Sequence, residues 1–149
     1  MSFSLGVVMR FDKTYEVIDH TADMGIIAYG TDLKQLFANA AGGMFDQMVN
    51  LDVVTESVTR TIKLTSDDTE SLLVEWLNEL LYIFDTEYLV FKRYDISVLN
   101  SGTLKAICYG DKLDFKANPP IREIKAATYH MLSIASNKEV FKAQIIFDI

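Results

Sequence analysis

The run Asp19-His20-Thr21-Ala22-Asp23-Met24-Gly25-Ile26 places two carboxylates and an imidazole within five residues. Phe147-Asp148-Ile149 adds a further carboxylate, followed at once by the main-chain carboxylate of Ile149. Chain connectivity keeps those last two groups within a few ångströms of each other. Carboxylates held so close repel unless a proton or a cation lies between them. Oxygen clusters of this type bind hard divalent cations or perform acid/base work. Asp23, Asp148 and Ile149 are thus a candidate oxygen site for Ca²⁺, Mg²⁺ or Mn²⁺. Zinc fits less well, because the chain has only two histidines and one cysteine. A further polar island, Lys125-Ala126-Ala127-Thr128-Tyr129-His130, interrupts an apolar stretch.

Each of these residues also has a plainer reading. Asp19 and Thr21 suit turn hydrogen bonds to nearby amides. Asp148 at the end of the apolar run Gln144-Ile145-Ile146-Phe147 suits a solvated strand end. In an ideal strand, His130 shares a face with Ile124, Ala126, Thr128, Leu132 and Ile134, where a hydrogen-bonded core imidazole is the alternative to a ligand. Lys125 suits either a phosphate or an ion pair with a surface acid such as Glu123. The functional reading gains weight because the first knot lies between two apolar strand signals, and loops on rigid elements are where sites are built.

The elements that must position these residues follow from periodicity. Tyr15-Glu16-Val17-Ile18 and Met24-Gly25-Ile26-Ile27-Ala28-Tyr29-Gly30 read as strands flanking the first knot. Thr31 or Asp32 caps a helix whose apolar stripe is Leu33, Leu36, Phe37, Ala40, Ala41, Met44, Phe45 and Met48. Gly42-Gly43 within it costs about 1 kcal/mol per glycine against alanine, which suits close packing on a sheet or, alternatively, approach of a cofactor. Residues 54–64 alternate β-branched and polar side chains as one long strand or a strand pair with a Thr-rich outer face. Ser66-Asp67-Asp68 caps a second helix with the stripe Leu72, Leu73, Trp76, Leu77, Leu80, Leu81 and Phe84, and with Glu70, Glu75, Asn78 and Glu79 toward solvent. Asn100-Ser101-Gly102 marks a hairpin. Gly110-Asp111-Lys112-Leu113-Asp114 and Asn118-Pro119-Pro120 bound an irregular loop, and residues 123–135 and 140–147 form a last hairpin around Ser136-Asn137-Lys138-Glu139. The expected class is α+β: two layers, one mixed β-sheet carrying two main amphipathic helices on one face.

Composition narrows the function. The 149 residues fit one domain, 1–149, with residues 1–14 a leftover extension or an extra edge strand. Half the residues are hydrophobic, enough for a sizeable core. The lone cysteine, Cys108, excludes a disulfide framework and reads as a buried thiol, consistent with a reducing cytoplasm. No segment approaches the ~18 uninterrupted apolar residues of a membrane span, and no signal-peptide pattern opens the chain. A net charge of −7 with scattered basic residues disfavours autonomous nucleic-acid binding and favours a basic protein surface or a metal. There is no phosphate-binding loop, no Gly-x-Gly-x-x-Gly and no Gly-x-Ser-x-Gly, which argues against a self-sufficient nucleotidase or α/β-hydrolase.

Together, the first run, Glu75-Trp76-Leu77-Asn78-Glu79-Leu80-Leu81-Tyr82 with Phe84-Asp85, Ile124-Lys125-Ala126-Ala127-Thr128-Tyr129-His130 and the closing Phe147-Asp148-Ile149 resemble the archease family from Tyr15 to Ile149. The resemblance implies a small α+β protein that assists the tRNA-splicing RNA ligase. That ligase joins RNA 3′-phosphate or 2′,3′-cyclic phosphate ends to 5′-hydroxyls through a guanylylated histidine, using GTP and divalent metal. Members of the family are implied to promote guanylylation and multiple turnover without being enzymes themselves, meeting RNA only through the ligase. By the same resemblance, Asp23, Asp148 and Ile149 form the metal site, calcium included. Asp19, His20 and His130 support it as neighbouring partners, and Lys125 and Glu79 contact the ligase or nucleotide. Two other functions fit the same residues: a metal-dependent phosphoesterase or other hydrolase using Asp19, His20, Asp23 and Asp148, and a chaperone-like interaction modulator.

Overall fold

The computed structural model describes residues 13–19 and 23–149; residues 1–12, with the expected extension, and residues 20–22, with His20, lie outside the described residues. Strands β1 (Tyr15–Asp19) and β2 (Met24–Gly30) form a hairpin with an antiparallel register from Tyr15↔Ala28 to Asp19↔Met24. Helix α1 (Leu33–Met48) follows, and the Asp32 carboxylate caps it by accepting from the Gln35 N–H at 2.8 Å. A 3₁₀ turn, Leu51–Val53, leads into β3 (Val58–Thr65). Helix α2 (Thr69–Glu87) is capped by Asp68, which accepts from Ser71 N–H at 2.7 Å. Then come β4 (Leu89–Leu99), β5 (Thr103–Lys112), β6 (Ala126–Ala127), β7 (Ser133–Ser136) and β8 (Phe141–Asp148).

The α+β class holds, but the expected single mixed sheet is two sheets, and every strand pairing among the described residues is antiparallel. The larger sheet runs β1-β2-β8-β6, with β7 also on β8; the smaller runs β3-β5-β4. Helix α1 packs on β2 of one sheet and β4 of the other and so bridges them, while α2 contacts all three strands of the smaller sheet and β6 of the larger. The reason for two sheets lies in the side chains. The inward residues Phe37, Met44, Phe45, Trp76, Phe91 and Phe147 are large and fully buried, and they fill a core that one sheet could not enclose. Trp76 ties the helices together, its indole N–H donating to the Phe37 carbonyl at 3.0 Å.

The strand at 54–64 begins only at Val58, and its Thr59, Thr61 and Thr65 face solvent as the alternation predicts. Strand β4 is broken by two bulges, with Lys92 and Ser97 as the extra residues. The Lys92 ammonium donates to the Leu51 and Val54 carbonyls at 3.1 and 2.8 Å, holding the end of the 3₁₀ turn. Asn100 closes the β4–β5 hairpin, its side-chain oxygen accepting from the Gly102 and Thr103 N–H groups.

The two glycines of α1 have different roles. A Cβ on Gly43 would stand 2.8 Å from Cγ of Tyr15, whereas one on Gly42 would meet nothing within 4 Å. The Tyr15 ring cannot retreat freely, because its hydroxyl donates to Asp46 and accepts from Gln47. Gly43 is thus a packing residue that seats α1 on β1. Gly42→Ala is expected to raise stability by about 1 kcal/mol through helix propensity, and Gly43→Ala to lower it by about 1–3 kcal/mol through overpacking. Urea unfolding of the two variants checks both signs.

Burial pushes the Cys108 thiol up to about 12. Burial, reinforced by hydrogen bonds to Asp46 and Glu16 respectively, pushes the phenols of Tyr15 and Tyr29 up to about 12. All three are raised, so the protonated form is favoured by folding. That stabilisation is complete below the ordinary values of 9.0 for the thiol and 10.0 for the phenols, and it is lost as pH rises toward 12. Melting temperature should therefore fall progressively from about pH 9 upward, with Cys108→Ala delaying the onset; a Tm series against pH, with tyrosinate absorbance followed in parallel, measures it.

Candidate functional site

Strand β8 lies between β2 on one side and β6 and β7 on the other. Its pairing with β2 ends at Met24↔Phe147, and both of these residues are buried. The next pair of opposite positions is Asp23 and Asp148. On the other side, Ala126 pairs with Asp148, and the Lys125 N–H donates to the Asp148 carbonyl at 2.7 Å. On the far side of β2, Asp19 closes β1 opposite Met24. The sheet thus brings Asp19, Asp23, Asp148, Lys125 and Ile149 to one end, although they come from opposite ends of the sequence. Opposite positions of an antiparallel pair hold their Cβ atoms about 4.5–5.5 Å apart, close enough for two carboxylates to share one cation or proton. Asp23 is half-buried, while Asp19, Lys125, Asp148 and Ile149 are exposed.

His130 is not on a strand face among apolar neighbours, contrary to expectation. The expected strand at 123–135 is interrupted, because residues 129–132 loop out opposite Ile145 alone. The Thr128 hydroxyl donates to the Ile146 carbonyl at 2.8 Å and accepts from His130 N–H at 3.3 Å, and Leu132 N–H turns back to the Tyr129 carbonyl at 3.2 Å. These local bonds take the backbone groups that a continuous ladder would have used. Met131 completes the turn in the left-handed region at φ 54°, and Gln144 Nε2 holds its carbonyl at 2.9 Å. The loop carries His130 to the surface and over the sheet end. There Asp23, His130, Met131 and Ile146 line a cavity of about 60 Å³. His130 and one of the two central aspartates therefore line the same small cavity, by a route that strand periodicity does not foresee.

Gly25 makes room for this arrangement. A Cβ there would stand 2.6 Å from the Ile145 carbonyl oxygen and 2.7 Å from Cδ1 of Ile146. The Ile146 side chain lies across the bare glycine and forms the apolar wall of the cavity beside Asp23.

Asn78, expected on the solvent face of α2, instead turns to β6. Its amide nitrogen donates to the Ala127 carbonyl at 3.1 Å, and its carbonyl oxygen accepts from the Ala127 N–H at 2.8 Å. The side chain acts as a strand partner for β6 and pins the strand beside Asp148 to the helix. The resemblance to a family motif included this residue, but helical spacing alone does not separate it from a solvated asparagine. Glu79, its neighbour, is half-buried and lies near Arg60 of β3, whose guanidinium it helps keep charged after the main partner, Glu87. No side-chain hydrogen bond or ion pair among the described residues links it to Asp23 or Asp148. The Lys125 ammonium makes no ion pair with Glu123 or any other acid among the described residues.

No group of three His, Cys, Asp or Glu side chains converges among the described residues. The candidate donors at this end are two carboxylates and main-chain oxygens, with His130 lining the cavity of Asp23. Oxygen donors of this kind suit calcium, magnesium or manganese better than zinc. Cys108 is buried in β5 on the other sheet and takes no part. No helix among the described residues is long and apolar enough to cross a membrane.

Comparison with known proteins places the fold in a family. The model of the archease protein family matches residues 15–149. Protein archease of Methanosarcina acetivorans is 38% identical over 141 residues, covering 92% of this chain and 97% of its own length. The solution structure of Methanobacterium thermoautotrophicum protein 1598 superposes with a TM-score of 0.80 at 35% identity, over 91% of this chain and 99% of that one. A Thermotoga maritima crystal structure, described as an archease and possible chaperone, shares the fold with a TM-score of 0.62 at 21% identity, over 90% of this chain and 96% of that one. Matched over almost all of its described length by the family model and by relatives on both measures, the chain belongs to the archease family.

Proposed function

We propose that this protein is an accessory factor of a tRNA-splicing RNA ligase, promoting its guanylylation and multiple turnover through a divalent-metal site at the Asp23–Asp148 end of the larger sheet. The observation that carries the reading is the register of β2 and β8, whose last pair, Met24↔Phe147, leaves Asp23 and Asp148 as the next positions on the two chains. Asp23, Asp148 and the main-chain carboxyl of Ile149 would hold the cation. When bound, it supplies positive charge that offsets phosphate charge during nucleotidyl transfer. The chain's own residues do the rest. Asn78 and the β6–β8 pairing hold the Asp148 main chain in place. Gly25 and Ile146 keep one side of Asp23 apolar, which strengthens electrostatic attraction there. His130, which lines the same cavity as Asp23, would act as an outer partner, and exposed Lys125 would meet a phosphate or an acid of the partner. The chain's acidity favours approach to a basic ligase surface.

RNA ligation with a cognate ligase held limiting, with and without this protein, tests the reading. Product exceeding the number of ligase molecules only when this protein is present is the expected result; unchanged turnover overturns it. Metal-dependent hydrolysis of a phosphoester by the protein alone would favour the hydrolase instead.

A further inference from the structure

We propose that the loop at 129–132 is the protein's docking tip, which inserts Tyr129 and Met131 into an apolar-walled, basic mouth on the partner protein beside the Asp23–Asp148 pair. The inference rests on the ligase reading above and assigns the face that reading leaves open. Tyr129 and Met131 are 60% and 56% exposed, and Ile149, at the same end of the sheet, is 40% exposed. Aromatic residues and methionine are enriched in interface cores, but exposure alone decides nothing, since single surface apolar residues are ordinary.

Backbone conformation supplies the second argument. Met131 is held at φ 54°, a region that a side chain with a Cβ occupies at a cost and that glycine occupies freely. Such strain persists only where the surroundings enforce it, and it concentrates at functional positions. Here the enforcing contacts are the Gln144 amide on the Met131 carbonyl and the Leu132–Tyr129 turn bond. Both engage the backbone, so neither explains why position 131 carries a large apolar side chain. The turn therefore presents Tyr129 and Met131 from a fixed backbone, which lowers the ordering cost of binding.

Charge supplies the third argument. The tip stands beside half-buried Asp23, with exposed Asp19 and Asp148 and the single ammonium of Lys125 at the same sheet end, so that carboxylates outnumber it there in a chain of net charge −7. An apolar tip beside a mainly acidic sheet end complements an apolar pocket flanked by cationic groups. That is the chemistry of a protein site built to hold phosphates.

Met131→Gly tests this against a purely structural turn, because glycine keeps the backbone and removes only the side chain. The variant is expected to melt at or above the wild-type temperature, yet to need at least tenfold more protein for half-maximal stimulation of limiting ligase and for binding to immobilised ligase. Tyr129→Ser should shift both titrations in the same direction. Ile107→Ser, which removes an exposed apolar side chain from the smaller sheet, should match wild type. Wild-type titrations for Met131→Gly and Tyr129→Ser, or an equal shift for Ile107→Ser, would overturn the docking tip while leaving the ligase function standing. Absence of wild-type binding and stimulation would overturn the function itself, and the assigned partner with it. A wild-type dimer that Met131→Gly abolishes would place a second copy on this face and overturn the proposal.

Discussion

Asp148→Ala should fold as the wild type does and reduce stimulation of multiple-turnover ligation by roughly 10- to 100-fold or more, the scale seen when groups that hold or orient a metal are removed. Two observations separate the functional from the structural effect. The Asp148 side chain is exposed, so its loss leaves no cavity, and surface changes of this kind usually fall within about 0.5 kcal/mol. Its main-chain carbonyl, which receives the Lys125 N–H, survives in the alanine variant. Asp23→Ala should give a similar loss, and the double variant little more than either alone, because two ligands of one ion act as a unit. Calorimetric titration of the isolated protein with Ca²⁺, Mg²⁺ and Mn²⁺ reads the site without the ligase. Heat of binding in wild type that is absent in Asp148→Ala is the expected outcome, and equal binding by both proteins would remove Asp148 from the metal site.

Asn78→Ala should cost about 2–4 kcal/mol, because it orphans both main-chain groups of Ala127, each worth about 1–3 kcal/mol when buried and unpaired. Ala127 is only 4% exposed, so water is a poor substitute. The loss should not be confined to stability. Strand β6 has two residues and, among the described residues, β8 as its one neighbouring strand, so the Asn78 amide supplies the bonds on its other edge. Hydrogen exchange at Ala127 and Thr128 should accelerate well beyond the change in the α2 core, and ligase stimulation should fall even at temperatures where the variant remains folded. Asn78→Asp should be at least as damaging, because it replaces the donor to the Ala127 carbonyl with a second acceptor. Uniform exchange across the molecule in either variant would reduce Asn78 to a general packing residue.

What could be read from the sequence divides along a physical line. The stripe of α2 from Leu72 to Phe84 and that of α1 from Leu36 to Met48 are buried as their spacing requires, because amphipathic periodicity reports a property of one element alone. The Asp32 and Asp68 caps and the Asn100 hairpin were legible for the same reason: each is settled by bonds within a few residues. Asp23 and Asp148 were recognised as chemistry-bearing residues, but nothing in their spacing placed β8 between β2 and β6, since pairing partners more than a hundred residues apart leave no local trace. The division into two sheets was hidden likewise. The surfacing of His130 was missed because alternation over 123–135 looks continuous, whereas the Thr128 hydroxyl and the left-handed Met131 break it. Asn78 was misplaced because a side chain that mimics a strand edge has the same helical phase as one that faces water. The seating of Gly43 on Tyr15 agrees with the close-packing reading of the paired glycines; only its partner had to come from the structure.

The position of β8 also has a kinetic consequence. It is the last element in chain order, yet its neighbours are β2, near the start, and β6 and β7. The β1–β2 and β4–β5 hairpins and both helices need only local closure, whereas Met24↔Phe147 closes a loop spanning nearly the whole molecule. Long closures carry the larger entropic cost and form late. A chain arrested before that step already has its helices and its smaller sheet, but Asp23 and Asp148 are still apart. Under the proposed metal site, the cation-holding end is therefore complete only when folding is, so divalent-cation binding would report on the last step of folding.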